Sequence, residues 1–105
     1  MMMAWEEKLA AFKALGDVHL EMRAPGDWYV ADNIEIADNG LLIGEFGNGE
    51  TPQKAVEDHW QKLVVDLAPT MHLYARVRCT YRRVRWNGFM WADVKPPVTV
   101  EEPTP

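Results

Sequence analysis

A single cysteine, Cys79, is present in the 105 residues. That excludes an intramolecular disulfide and any zinc site built from cysteines, and it suits a reducing compartment. The three histidines, His19, His59 and His72, show neither His-x-His nor His-x-x-x-His spacing, so no metal and no cofactor are expected. No apolar run approaches the roughly 18 residues of a membrane span. The start, Met1-Met2-Met3-Ala4-Trp5-Glu6-Glu7, lacks a basic region followed by an apolar core, so no signal peptide is expected and a cytoplasmic location is. Nothing places a base beside Cys79. It falls on an apolar strand face and reads as a core thiol, a small enzyme or ligand binder using Cys79 or His72 being the weaker option. No catalytic residues are assigned, and the chain is expected not to be an enzyme.

What is present points to a packed domain. Apolar residues make up 48%, with five Trp, three Tyr and three Phe. Such a composition can bury a core, and the length suits one domain, residues 1–95, followed by a Pro-rich tail, 96–105, expected to be extended and mobile. The net charge of −5 is unevenly spread. Residues 1–70 carry 5 basic and 13 acidic side chains, whereas residues 71–95 carry five Arg and one Lys against one Asp. An imbalance of this kind speaks of partners and solubility, not of fold.

Residues 5–15 read as a short helix: Trp5, Leu9 and Phe12 fall at i, i+4 and i+7, and Gly16 suits its end. From Val18 the period drops to two, with Val18, Leu20 and Met22 alternating with His19, Glu21 and Arg23. Ala24-Pro25-Gly26-Asp27 has turn chemistry. Trp28, Val30, Ile34 and Ile36 mark a second strand face that Asp32 interrupts, which predicts a bulge or an exposed strand end. Asp38-Asn39-Gly40 predicts a hairpin into a third strand, residues 41–46.

Gly47-Asn48-Gly49-Glu50 reads as a glycine-rich turn before a helix with Thr51 as N-cap and Pro52 as first residue. Val56, Trp60, Leu63, Val64 and Leu67 form one buried stripe, which leaves Asp58 and His59 on the solvated side. Residues 71–79 alternate again. Residues 81–86 and 89–94 then flank Asn87-Gly88, a tight-hairpin signal. The expected fold class is α+β: helix, three-stranded antiparallel meander, amphipathic helix, then a C-terminal two- or three-stranded antiparallel unit.

Two surfaces are candidates for function. Trp86, Phe89, Met90 and Trp91 crowd one hairpin, too many large groups to bury on one face, so a protein interface is expected there with Trp86, Phe89 and Trp91 as anchors. The alternative is nucleic-acid binding through Arg76, Arg78, Arg83, Arg85 and Tyr74, since arginines interleaved with aromatic rings can hold phosphates and stack bases. Alternation sends Arg82 to the opposite face. A protein partner is the first expectation and nucleic acid the second; no membrane partner is expected, and self-association stays open.

Gly47-x-Gly49-x-Thr51-Pro52-Gln53-Lys54-Ala55 resembles the Gly-x-Gly-x-Ser-Lys-Lys-x-Ala opening of the second helix in double-stranded-RNA-binding domains. The order helix, three strands, helix over residues 5–67 is similar to theirs. The family's paired lysines fall on Pro52 and Gln53. HicB-type antitoxins share a similar order, with a Thr-x-x-Glu-Ala helix opening that Thr51-Pro52-Gln53-Lys54-Ala55 resembles loosely. The chain as a whole also looks like the small proteins of tailed phages and prophages. The expected function is a non-enzymatic binding module, a phage- or prophage-type accessory protein that binds or inhibits a host or phage protein.

Overall fold

Two helices cover one face of an antiparallel sheet in the computed structural model, which describes residues 3–38, 41–67, 71–77, 80–94 and 99–101. Helix α1 spans Trp5–Lys13 and α2 spans Pro52–Trp60, continuing into seven π-helical residues, Gln61–Leu67. The strands are β1 (His19–Ala24), β2 (Asp27–Asp38), β3 (Leu41–Gly49), β4 (Leu73–Val77), β5 (Thr80–Trp86), β6 (Trp91–Asp93) and β7 (Thr99–Glu101). Among the described residues they form one sheet, curled into a half-barrel, in the order β1-β2-β4-β5-β6, with β3 also paired to β2 and β7 to β5. The α+β order expected from periodicity holds. Strand β7 lies within the Pro-rich tail; the rest of residues 96–105 falls outside the described residues, as do Asn39, Gly40, Arg78 and Cys79.

Alternation along β2 sets the core. Val30, Ile34 and Ile36 face the helices, joined by Leu73, Ala75 and Val84 from β4 and β5. Phe12 of α1, with Trp60 and Leu63 of the second helix, closes over them. Burying a side chain of this size contributes about 1.5–3 kcal/mol, which is why the period-two and helical stripes dictate the layers.

Asp32 marks a bulge. Strand β2 pairs with β3 up to Ala31 opposite Phe46 and resumes at Glu35 opposite Gly44, leaving residues 32–34 against Glu45 alone. The other edge of β2 is shared, β1 pairing up to Ala31 and β4 starting at Ile34. The Asn33 side-chain amide spans that junction, donating to the carbonyls of Leu15 at 2.6 Å and Arg76 at 2.8 Å. Asp32 Oδ1 accepts the Ile34 N–H at 3.1 Å, which satisfies an amide that the bulge frees.

The glycine-rich turn expected at residues 47–50 is largely strand. Strand β3 runs on to Gly49, with Gly47 opposite Val30 and Gly49 opposite Trp28. Neither glycine needs a positive φ; both provide clearance. A Cβ on Gly47 would stand 2.6 Å from the His59 backbone nitrogen, and one on Gly49 would stand 2.5 Å from that of Ala55. The backbone of α2 thus lies directly on β3, an approach that any side chain at these two positions would obstruct. Its start follows the sequence expectation: the Thr51 hydroxyl accepts the Lys54 N–H at 3.1 Å, with Pro52 in the first turn.

This close seating widens the buried arc of α2 and corrects the placement of His59. Expected on the solvated side, His59 is fully buried, its ring 4.6 Å from that of Phe12 and its Nε2 3.1 Å from the equally buried Asp32 Oδ2. The contact is close enough for a charge pair but too poorly aligned for a hydrogen bond. Asp58 is part-exposed as expected. It accepts the Asn48 N–H at 2.9 Å and pairs with Lys62 at 2.9 Å, covering part of the β3 edge.

Candidate functional site

Strand β5 serves two surfaces. Val84 and Trp86 face the helices, while Arg83 and Arg85 face the other way. Arg82 is on the helix-side alternation and reaches Asp93 of β6 at 2.7 Å.

On the helix side, Trp86 and Trp91 are register partners across the β5–β6 hairpin and pack edge to face, ring centroids 5.5 Å apart. Trp86 meets Trp60 at 5.0 Å, and Trp60 meets Phe12 at 5.5 Å. An aromatic ladder therefore runs from core to surface, each edge-to-face pair adding about 0.5–1.5 kcal/mol beyond area burial. The Trp91 indole N–H donates to the Ala11 carbonyl at 3.0 Å, tying the hairpin to α1. Trp86 and Trp91 are half-buried, whereas Phe89 is 90% exposed and the neighbouring Met90 62%.

The loop chemistry explains this division. The two-residue turn expected at Asn87-Gly88 is a four-residue loop. The Asn87 N–H donates to the Met90 carbonyl at 3.1 Å, and Asn87 Oδ1 accepts the amides of Phe89 and Met90, each at 2.9 Å. Gly88 supplies the positive φ of +102°. Phe89 and Met90 consequently sit in the loop rather than in a strand, and pairing resumes only at Trp91.

Between this loop and α1 lies an open groove of about 340 Å³. Ala10, Ala11 and Ala14 form one wall; Phe89 and Met90 overhang the other above the two tryptophans. Glu7 is the only ionisable residue among its described lining. The α1 wall was missed from sequence: three alanines on a short helix were its sole signal, and they read equally well as ordinary helix formers.

On the outer face, four of the residues considered for nucleic-acid binding come together: Tyr74 and Arg76 of β4 with Arg83 and Arg85 of β5. The fifth, Arg78, lies outside the described residues. The Arg83 guanidinium rests against Nδ1 of His72, and that of Arg76 sits 5.9 Å above the Tyr81 ring.

A third feature had no sequence signal. At the junction of β1 and β4, Asp17, His19, Asn33, Glu35 and Arg76 surround a cleft of about 270 Å³ that Asp32 also lines. Asp32 Oδ2, Asn33 Oδ1 and Glu35 Oε2 are buried without a hydrogen-bond partner. Among the described residues no group of three or more His, Cys, Asp or Glu is placed to hold a metal ion, and no helix is long and apolar enough to cross a membrane.

Comparison with protein-family models, curated proteins and solved structures gave no match.

Proposed function

We propose that this protein is a non-enzymatic binding module that docks a partner protein in the groove between α1 and the β5–β6 hairpin. One observation carries the reading: a four-residue loop hydrogen-bonded to the Asn87 side chain presents Phe89, 90% exposed, beside an apolar groove lined by Trp86 and Trp91. Phe89 and Met90 adjoin the apolar lining of the groove, and a contiguous exposed apolar patch is the mark of an interaction surface. The Trp91–Ala11 bond and the aromatic ladder keep both walls in place before a partner arrives, which reduces the ordering cost of association.

Trp86 and Trp91 then form the floor, and Phe89 and Met90 are the groups a partner covers. Truncating a central aromatic anchor costs about 2 kcal/mol or more, roughly 30-fold in affinity. The resemblance to phage accessory proteins directs the search to host and phage proteins. A photo-crosslinking amino acid at position 89, compared with one at exposed Gln53 on α2, tests the reading in cells. A discrete adduct from position 89 alone, with affinity for the captured protein lost in Phe89→Ala, supports it. Equal labelling from both positions, or none, overturns it.

A further inference from the structure

We propose that the groove takes helix α1 of a second copy of this chain, the two copies docking about a twofold axis that passes near Ala10. The proposal rests on the groove reading and names its occupant. A twofold pairing needs one patch complementary to itself, with the projecting group and the recess on the same surface. This patch has both. Phe89 and Met90 are exposed in the loop beside a groove walled by Ala10, Ala11 and Ala14.

The charges on α1 choose the occupant and its direction. Glu6, Glu7, Ala10, Lys13 and Ala14 make up one exposed face of the helix. Glu6 and Lys13 lie about two turns apart on the same side, with Ala10 between them. Two such helices laid antiparallel and meeting near Ala10 put Glu6 of each copy against Lys13 of the other. A parallel pairing would oppose like charges. Among the described residues neither Glu6 nor Lys13 has a hydrogen-bond or ion-pair partner within its own chain. The antiparallel arrangement also opposes the two helix dipoles favourably. Ala10 and Ala14 carry only a methyl group each, which lets the helix axes approach to about 8 Å.

Each α1 then lies in the other copy's groove, and each Phe89 is covered by the helix of the opposite copy. One short helix and one loop from each side make an interface at the small end of the stable range, so the dimer is expected to be weak and concentration-dependent.

Sedimentation velocity of the intact chain over a dilution series tests this, with a monomer–dimer equilibrium as the expected result. Glu6→Lys or Lys13→Glu alone turns two attractive contacts into two repulsive ones and should raise the dissociation constant roughly 10-fold. A chain carrying both changes should return it close to the wild-type value, as should an equimolar mixture of the two single variants. Recovery in the mixture also shows that both single variants are folded. Phe89→Ala should weaken the dimer without altering the response to charge. A chain that stays monomeric throughout overturns the proposal, as does a dimer indifferent to both single reversals. The photo-crosslinker at position 89 separates this failure from that of the groove. A monomeric chain that captures a different protein there removes the second copy and leaves the groove reading standing, whereas a monomer that captures nothing removes both.

Discussion

Replacing Gly47 by alanine tests the seating of α2 on β3 most directly. The added Cβ would meet the His59 backbone nitrogen and Cβ, both at 2.6 Å, where ordinary contacts begin near 3.4 Å. The atoms it meets are helix backbone and its first side-chain carbon, which cannot rotate aside. The helix must lift by most of an ångström, opening the contacts of Val56 and Trp60 beneath it. Overpacking of this kind costs about 1–3 kcal/mol, and the upper part of that range applies because no flexible group can yield. A domain of this length has about 5–15 kcal/mol in hand, so the variant folds but is visibly weaker. With a urea dependence of about 1–3 kcal/mol per molar, the unfolding midpoint should fall by roughly 1–2 M. Tryptophan fluorescence reports the change, since Trp60 packs between Phe12 and Trp86. Gly44→Ala is the control: it lies on the same strand, and a Cβ there meets nothing within 4 Å. It should be neutral, or more stable by about 0.4–1 kcal/mol through the unfolded chain. Equal midpoints for the two variants would refute the clearance argument.

Two further predictions concern charged groups. Burial alone would raise the Asp58 carboxyl, but the Asn48 N–H and the Lys62 ammonium outweigh it and hold the group below its ordinary value of 3.8. A lowered value in the folded state means that the contribution is complete above the unfolded value and disappears as pH falls through the folded one. The gap between wild type and Asp58→Asn in urea midpoint should therefore close as pH falls below the ordinary value of 3.8; a gap that stays constant would contradict the sign. At Asp32, asparagine keeps an Oδ1 acceptor for the Ile34 N–H but removes the charge facing His59, whereas alanine loses both. Asp32→Asn isolates the loss of the carboxylate, and Asp32→Ala should cost about 1 kcal/mol beyond it, the worth of the bond to the Ile34 N–H. Thermal unfolding of both variants measures the difference, and equal costs would show that the bond across the bulge contributes nothing.

Features encoded by neighbours in sequence were legible, and features decided by distance between elements were not. The Thr51 cap, the Pro25-Gly26 turn, the period-two strands and the break at Asp32 are all local, so their chemistry specifies their geometry. Gly47 and Gly49 were ambiguous because glycine serves two physical ends, positive φ and close approach, and only a backbone lying against it tells them apart. His59 depends on the same distance, since the width of a helix's buried arc is set by how near the sheet lies. At the hairpin, composition required some aromatic surface to remain exposed. Which ring it would be rested on the Asn87 side chain, whose two accepted amides lengthen the loop and carry Phe89 outward while Trp86 and Trp91 close beneath. The polar cleft between β1 and β4 assembles Asp17, Asp32 and Arg76 from three separate stretches and left no trace in any one of them. The consequence for function is carried by β5. A strand whose alternate residues are tryptophan toward the helices and arginine away from them separates an apolar surface from a cationic one by the thickness of a sheet. Substitutions on one side should leave the other intact, so the groove can be tested without disturbing the arginine face.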